Sequence, residues 1–372
     1  MTPAPLPAER LRSSRPRTSP SPSGTSSDRL RSHRLTTPAA TVADAAAHML
    51  AVQSQDFLAG RWALGVRTRG EPTLATVDAA FARGELVRGW TMRGTLHIVP
   101  ARDLAWILSV TAERQRRQAA ARHRQLGIDE AMLAVAERAI RPALGDGGLA
   151  RAEIFALWER AGIDPRAQRG VHLLAALTFA GVLCQGPVAA RNGGVSRDQR
   201  FVLVEEWVRD PYTPDDPLAE LFVRYIRGHG PAGAADFAWW SGLPLGTARE
   251  AAERAGARLT EVEDGVFLAR PRPRRSLPDA ATFALPAFDE YYISYADRTA
   301  VCAPERLDDI GPGKNGMVRP VLVAGGRVVG TWSAAGGAEL FDADADAEAA
   351  DRGAASAVAR FASFVGSEPA PR

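Results

Sequence analysis

Three times along the 372-residue chain, short amphipathic helices run into a pair of strand-like segments. In the first instance, residues 41–51 carry Val42, Ala45, Ala46, Met49 and Leu50 at helix spacing, and residues 56–67 follow with Phe57, Leu58, Trp62 and Leu64. Thr73 stands where a helix N-cap belongs, ahead of a third helix through Phe81 and Ala82 that Gly84 stops. The string ELVRGWTMRGTLHIV then alternates as a two-stranded ribbon around Arg88–Gly94. Helices over 150–161 and 166–180, then strand-like VLCQGPV and FVLVEEWV around the polar loop RNGGVSRDQR, repeat the arrangement. Residues 233–241 and 246–255, broken at Gly242 and Pro244, lead into RLTEV and GVFLA and give it once more. Helices followed by a hairpin make a winged helix, and a unit that recurs specifies architecture better than any single element. The expected fold is α+β, mainly α, with three tandem winged-helix (helix-turn-helix) units. Such units contact DNA in some proteins and other proteins elsewhere, so the repeat supports DNA binding without proving it.

Around the units the chain reads more simply. A long helix over roughly 101–124 links the first two, and the Pro/Arg-rich ARPRPRRSLP (269–278) closes the third. Beyond it, FALPAFDEYYISY and GMVRPVLVAGGRVVGTWS suggest a small β-barrel-like C-terminal domain, closed by a helix from about Ala343 to Val365. Asp342, Asp344, Asp346 and Glu348 at the start of that helix suit its dipole and need no ligand. Residues 1–35 are rich in Ser, Pro and Arg and have almost no large apolar side chains, the composition of a disordered basic arm. The expected segments are therefore 1–35 (arm), 36–125 (first unit and linking helix), 126–210 (second), 211–270 (third) and 271–372 (C-terminal domain).

Composition excludes several classes. No apolar run approaches the ~18 residues of a membrane-spanning helix. Two cysteines, Cys184 and Cys302, are too few for a disulfide framework or a four-thiolate zinc site, and a reducing cytoplasm suits them. HExxH, CxxC, GxxxxGK[ST] and GxSxG are all absent, and the six His are scattered, so neither a metal nor an organic cofactor is implied. The net charge of +3 divides unevenly. Seven Arg against Glu9 and Asp28 put +5 on residues 1–37, which leaves −2 on the rest. A nucleic-acid partner must therefore be argued from local patches.

One short stretch stands out chemically, Gln53-Ser54-Gln55-Asp56 at the seam of the first two helices. Side chains at i and i+2 lie about 200° apart on a helix, but they share a side of an extended segment. If the two amides act together, the backbone must leave helical geometry between Ala51 and Asp56. Taken on these residues alone, the polar groups cap backbone or face water, and Asp56 suits a helix N-cap.

The strings AVQSQDF, GWTMRGTLHIVPARDLAWIL, LPAFDEYYISYADR and NGMVRPVLVAGGRVVGTWS, in that order from about residue 36 to the end, resemble the winged-helix DNA glycosylases of the AlkZ/YcaQ type. The resemblance implies three tandem winged helices with a C-terminal β-barrel-like domain. It also implies excision of bulky alkylated purines, in some members from interstrand crosslinks. It places a catalytic Gln-x-Gln motif on Gln53 and Gln55, where Ser54 departs from the usual aliphatic middle residue. Asp56 is an auxiliary candidate. An amide is no general base near neutral pH, so a glutamine pair suits a leaving group that needs no proton. An N7- or N3-alkylated purine is such a group, since it is cationic and departs neutral.

For the partner, double-stranded DNA carrying an alkylated purine, the arginines of three regions are candidate contacts. Arg61, Arg88 and Arg93 lie near the glutamines; Arg114, Arg116, Arg117, Arg122 and Arg124 lie on the linking helix; Arg270, Arg272, Arg274 and Arg275 lie in the Pro-rich linker. His97, Asp289, Tyr291, Tyr295 and Arg298 are candidates to line a cleft, while Trp62, Trp90 and Trp106 suit the core. A cytoplasmic monomer is expected. Two other readings stay open: a non-enzymatic winged-helix DNA-binding protein or regulator, and a protein-interaction scaffold. The helix at 246–255, rich in Ala and Glu, would be a poor reader of bases, which weighs against the regulator.

Overall fold

A computed structural model describes residues 22–145, 147–190, 194–269, 281–313, 316–341 and 347–366. It opens on a helix, α1 (Pro22–Ser32), inside the stretch expected to be disordered. Composition misleads here because a few side chains anchor the segment. Leu30 and Leu35 enter the main apolar core, and Arg29, Ser32 and His33 are buried with them. The Arg29 guanidinium lies 3.7 Å from the Tyr295 ring centre. His33 Nε2 sits 2.7 Å from the Tyr295 hydroxyl.

After Thr41 caps α2 (Val42–Met49), the chain turns sharply at Leu50, whose φ of 66° ends the helix. A two-residue strand, β1 (Val52–Gln53), follows. Asp56 then caps α3 (Phe57–Gly65), and Thr73 with Thr76 forms a reciprocal capping box on α4 (Leu74–Ala82). The hairpin β2 (Leu86–Met92) and β3 (Thr95–Pro100) turns at Arg93 and Gly94, both at positive φ as a tight hairpin requires. The long α5 (Leu104–Leu126) and α6 (Glu130–Ile140) lead to α7 (Arg151–Arg160), α8 (Arg169–Phe179) and the strands β4 (Leu183–Val188) and β5 (Gln199–Leu203). The strand expected through FVLVEEWV stops at Leu203, where a helical turn, α9 (Val204–Trp207), takes over.

Helix α10 (Pro217–His229) is almost wholly buried and carries Glu220, Arg224 and His229 inside with it. Then come β6 (Ala232–Gly233), α11 (Ala234–Ser241), α12 (Leu245–Ala255), β7 (Thr260–Glu263) and β8 (Val266–Leu268). The C-terminal part holds β9 (Thr282–Leu285), α13 (Glu290–Ile293), α14 (Leu307–Ile310), β10 (Val321–Ala324), β11 (Arg327–Ser333), β12 (Gly337–Leu340) and α15 (Ala347–Gly366). Of the acidic run expected before the closing helix, Glu348 falls in the first turn of α15, and Asp342, Asp344 and Asp346 lie outside the described residues.

Sheet topology corrects the sequence expectation twice. The first two hairpins are not independent wings but one antiparallel sheet, ordered β1-β3-β2-β4-β5, joined where Arg88 pairs with Gln185. The C-terminal strands form an open sheet, β12-β11-β10-β9, not a closed barrel. β12 and β9, the two edge strands, do not pair with each other, so the sheet does not close. Its apolar side is covered by α15 instead, with Phe361 against Trp332 and Phe364 against Trp62. A third sheet, β6-β8-β7, brackets α11 and α12 in the chain, with β6 before them and β7 and β8 after. The mixture of helices and antiparallel sheets places β1, α11 and α13 against one another, and the glutamine segment lies at that junction.

Candidate active site around the glutamine pair

Leaving the helix at Leu50 puts Val52 and Gln53 in extended backbone, and the chain then bends at Gln55 and Asp56 before α3. Val52 pairs with Ile98 and Gln53 with His97, and Ser54 N–H donates to Leu96 O at 2.8 Å. Ser54 faces inward and is fully buried. Its carbonyl accepts from Arg88 Nε and Nη2 at 3.0 and 2.7 Å, and its hydroxyl is 3.2 Å from Arg88 Nε. Arg88 Nη1 reaches on to Gln185 Oε1 at 2.6 Å. A serine in the middle position is thus accommodated because an arginine satisfies its hydroxyl.

Gln53 is gripped at both ends. Its backbone N–H donates to Glu290 Oε1 at 2.7 Å, and its side-chain Oε1 accepts from Arg93 Nη2 at 2.8 Å. Arginine has only donors, so the amide oxygen must face Arg93 and the amide nitrogen must point away from it. Gln55 is exposed, and its Oε1 accepts from Leu96 N–H at 3.3 Å. The Arg93 side chain also lies against the end of α11, where a Cβ at Gly242 would stand 3.1 Å from Arg93 Cγ.

Glu290, the first residue of α13, is a fully buried carboxylate. Besides the Gln53 peptide it accepts from Trp240 Nε1 at 3.0 Å and from the Ser294 hydroxyl. His229 Nε2 is 3.5 Å away. Burial alone would raise its pKa, but the adjacent His229 and the Arg93 guanidinium outweigh this and hold it down at about 2. His97 has its pKa lowered too, to about 3, first by burial and then by the Arg93 charge, which in a histidine favours the neutral form. It is a neutral ring whose Nδ1 lies 3.0 Å from the Thr91 hydroxyl.

Behind Glu290 the polar network continues to α1. The Tyr295 hydroxyl donates to His229 O at 2.6 Å, so it must accept from His33 Nε2. His33 Nδ1 faces Arg67 Nη2 at 3.5 Å, and Arg67 clasps Asp289 through two bonds of 2.7 and 2.8 Å with both side chains fully buried.

Several residues expected to face DNA or a cleft are committed elsewhere. Arg61 is fully buried, bonded to both Asp78 oxygens and to Ser196 O, where it cannot reach a phosphate. Arg88 is buried as described, and burial, then the like charge of Arg61, lowers its pKa to about 10. Arg93 does sit at a hairpin tip, but its guanidinium turns inward to Gln53. Asp289, Tyr291 and Tyr295 are buried and do not line a cleft, since Asp289 holds Arg67 and Tyr291 donates to Gly326 O. Arg298 is half-buried, with Nε donating to Tyr292 O. Asp56 caps α3 through Leu58 N–H and Ala59 N–H, with Arg197 3.9 Å away. Trp62 and Trp106 are core, as their spacing suggests, and Trp90 is partly buried against it.

On α5, Arg116 and Arg117 share Glu113 as an ion-pair partner, Arg114 is half-buried, Arg122 binds Gln125 and Gln168, and Arg124 is exposed. Arg270, Arg272, Arg274 and Arg275 lie outside the described residues. Sequence reasoning overlooked Glu290, Trp240 and Gln185. For Glu290 a signal exists, namely two consecutive acids in the otherwise apolar string FDEYYI, which burial must either pair or protonate.

No group of three or more His, Cys, Asp or Glu side chains able to hold a metal occurs among the described residues, and no described helix is long and apolar enough to cross a membrane. The fold matches that of the Streptomyces sahachiroi DNA glycosylase AlkZ with a TM-score of 0.74 at 21% identity, covering 94% of this chain and 98% of that one. The interstrand DNA cross-link repair glycosylase of Streptomyces sahachiroi is 25% identical over 314 residues, 78% of this chain and 82% of the relative. The model of the family described as DNA glycosylase AlkZ-like matches residues 46–364, which takes in Gln53, Gln55, Arg93 and Glu290. This chain belongs to the AlkZ-like DNA glycosylase family.

Proposed function

We propose that the protein is a monofunctional DNA glycosylase that hydrolyses the N-glycosidic bond of bulky or cationic N-alkylpurines of the N7-alkylguanine type and leaves an abasic site. The relative that acts on interstrand crosslinks supports extending the substrate range to crosslinked purines. The observation that carries this reading is the double grip on Gln53, whose peptide is held by Glu290 and whose amide is held by Arg93. A site that only capped a helix would need neither contact.

Gln53 and Gln55 are the catalytic pair in this reading. Their carbonyl oxygens keep a second lone pair, which orients the attacking water without removing its proton first. The alkylated base departs neutral, so no acid is required. As the bond breaks, positive charge grows on the sugar, and the fixed amide dipoles stabilise it in place. The Glu290 carboxylate beneath the segment offsets the Arg93 charge, which would otherwise oppose that cation. Helix pairs and hairpins act as winged helices that hold the duplex, and the exposed Arg116, Arg117, Arg122 and Arg124 of α5 contact its phosphates. The protein works as a monomer on double-stranded DNA.

The reading is tested by incubating the protein with duplex that carries N7-methylguanine or a bulky N7 adduct, then cleaving abasic sites with alkali. Scission by the wild type is expected, with each single alanine substitution at Gln53 or Gln55 lowering the rate about 10²-fold and the double variant abolishing it. Binding without scission across several adducts would replace this reading with that of a DNA-binding regulator.

A further inference from the structure

Among the described residues the surface carries one bare aromatic ring, on a helix where the next residue bonds Glu290. Trp239 on α11 is 45% exposed, and every other aromatic side chain among the described residues is buried or partly covered. The indole is nevertheless fixed. Its Nε1 donates to Ile293 O at 2.8 Å, and the Arg298 guanidinium lies 5.0 Å from the ring centre. Arg298 is itself held, with Nε donating to Tyr292 O at 3.1 Å.

Three observations tie the helix that carries this ring, and the arginine beside it, to the site. The next residue, Trp240, donates to the Glu290 carboxylate that accepts the Gln53 peptide. Gly242, one turn further along the same face of α11, meets the Arg93 side chain that holds the Gln53 amide. Arg298 also lies close enough for its charge to act on Arg93.

A planar ring with its polar edge already satisfied loses little freedom on stacking, and its face takes any nucleobase. The neighbouring guanidinium selects among them, because a cationic alkylated purine is repelled while a neutral base is not. We propose that Trp239, braced by Ile293 O and Arg298, is a stacking shelf for an uncharged nucleobase laid bare when the duplex opens around the lesion. The inference rests on the glycosylase reading of the site and adds a second subsite, for a base that is not the one excised.

The test uses the full chain with Trp239→Ala and Trp239→Phe on a lesion-bearing duplex. Binding is followed by fluorescence anisotropy, and excision by alkali cleavage. The alanine variant should bind about tenfold more weakly, equivalent to about 1.4 kcal/mol, with the loss carried mainly by KM, and phenylalanine should restore most of it. Single abasic positions are then placed opposite the lesion and at each flanking step. On the one substrate that lacks the stacked base, wild type and alanine variant should bind alike. Equal binding of both proteins to the intact lesion duplex would overturn the shelf, as would a penalty that persists whichever base is removed. A wild type that binds and shows the stacking difference but never cleaves would sink the glycosylase reading and leave the shelf standing. A wild type that binds no duplex would end both.

Discussion

Glu290 occupies a position where charge is costly and useful at once. A buried carboxylate survives only when its lone pairs are filled, and here donors from β1, α11 and the end of α13 fill them. Glu290→Gln keeps the shape but turns an NH2 group toward one of those donors, leaving about 1–3 kcal/mol of unsatisfied hydrogen bonding. We expect a lower Tm and, at temperatures where the variant is folded, an excision rate at least about tenfold below wild type, read by single-turnover alkali cleavage. An unchanged single-turnover rate in the folded variant would remove Glu290 from the mechanism. The same neighbourhood sets a pH response. His97 is held neutral, with its pKa down from 6.5 to about 3, so the unfolded chain binds this proton more readily than the folded one. Its contribution to stability is complete above pH 6.5 and is lost as pH falls toward 3. Glu290, lowered from 4.5 to about 2, adds a second loss in the same direction below pH 4.5. Thermal melts across this range should therefore fall steadily on the acid side, and His97→Phe, if folded, should make the part above pH 4.5 shallower, with His33, whose pKa burial also lowers, supplying the remainder. The break after Leu50 was legible because two amides at i and i+2 can act together only off a regular helix, while the choice of Gln53 and Gln55 came from the family resemblance. Glu290 was not, because only the folded chain reveals which donors surround an acid 237 residues away.

At the scale of elements, caps and breaks were readable because they are local. Asp56, Thr73 and Gly84 act within a few residues of themselves, and each does what its position suggests. Pairings between distant segments were not readable. The fusion of two hairpins depends on Arg88 meeting Gln185, and the open C-terminal sheet depends on α15 arriving to cover it. α1 is the plainest miss. Its composition is that of a solvated arm, yet Leu30, Leu35, Arg29 and His33 give it enough burial to dock. This changes what truncation should do. Removing residues 1–21, which hold Arg10, Arg12, Arg15 and Arg17 against Glu9, should reduce only salt-sensitive nonspecific binding. Removing residues 1–35 should also strip His33 from the Tyr295 hydroxyl, lower Tm and depress excision. Equal excision by the two truncated proteins at matched fractions folded would show that α1 does not support the site.

For the molecule as a whole, the glutamine segment is held from three directions: α13 through Glu290, α11 through the Gly242–Arg93 contact, and β4 through Arg88. The sheet that runs from β1 to β5 couples the first two hairpins through backbone pairing at Arg88 and Gln185, which opposes their moving apart. A jaw so braced transfers the work of fitting to its ligand. On the glycosylase reading proposed above, the duplex must kink or unstack to bring a purine against the glutamines, and that deformation is easier at pyrimidine–purine steps than in stiff A-tracts. The stiffness of the sequence around a lesion thus becomes part of the selectivity, alongside any base the protein contacts. The same adduct should be excised faster at a TA or CA step than within an A-tract, by about tenfold for each 1.4 kcal/mol of bending energy saved. Competition between two such duplexes in one reaction measures that ratio directly, and a ratio near unity would mean the flexibility resides in the protein after all.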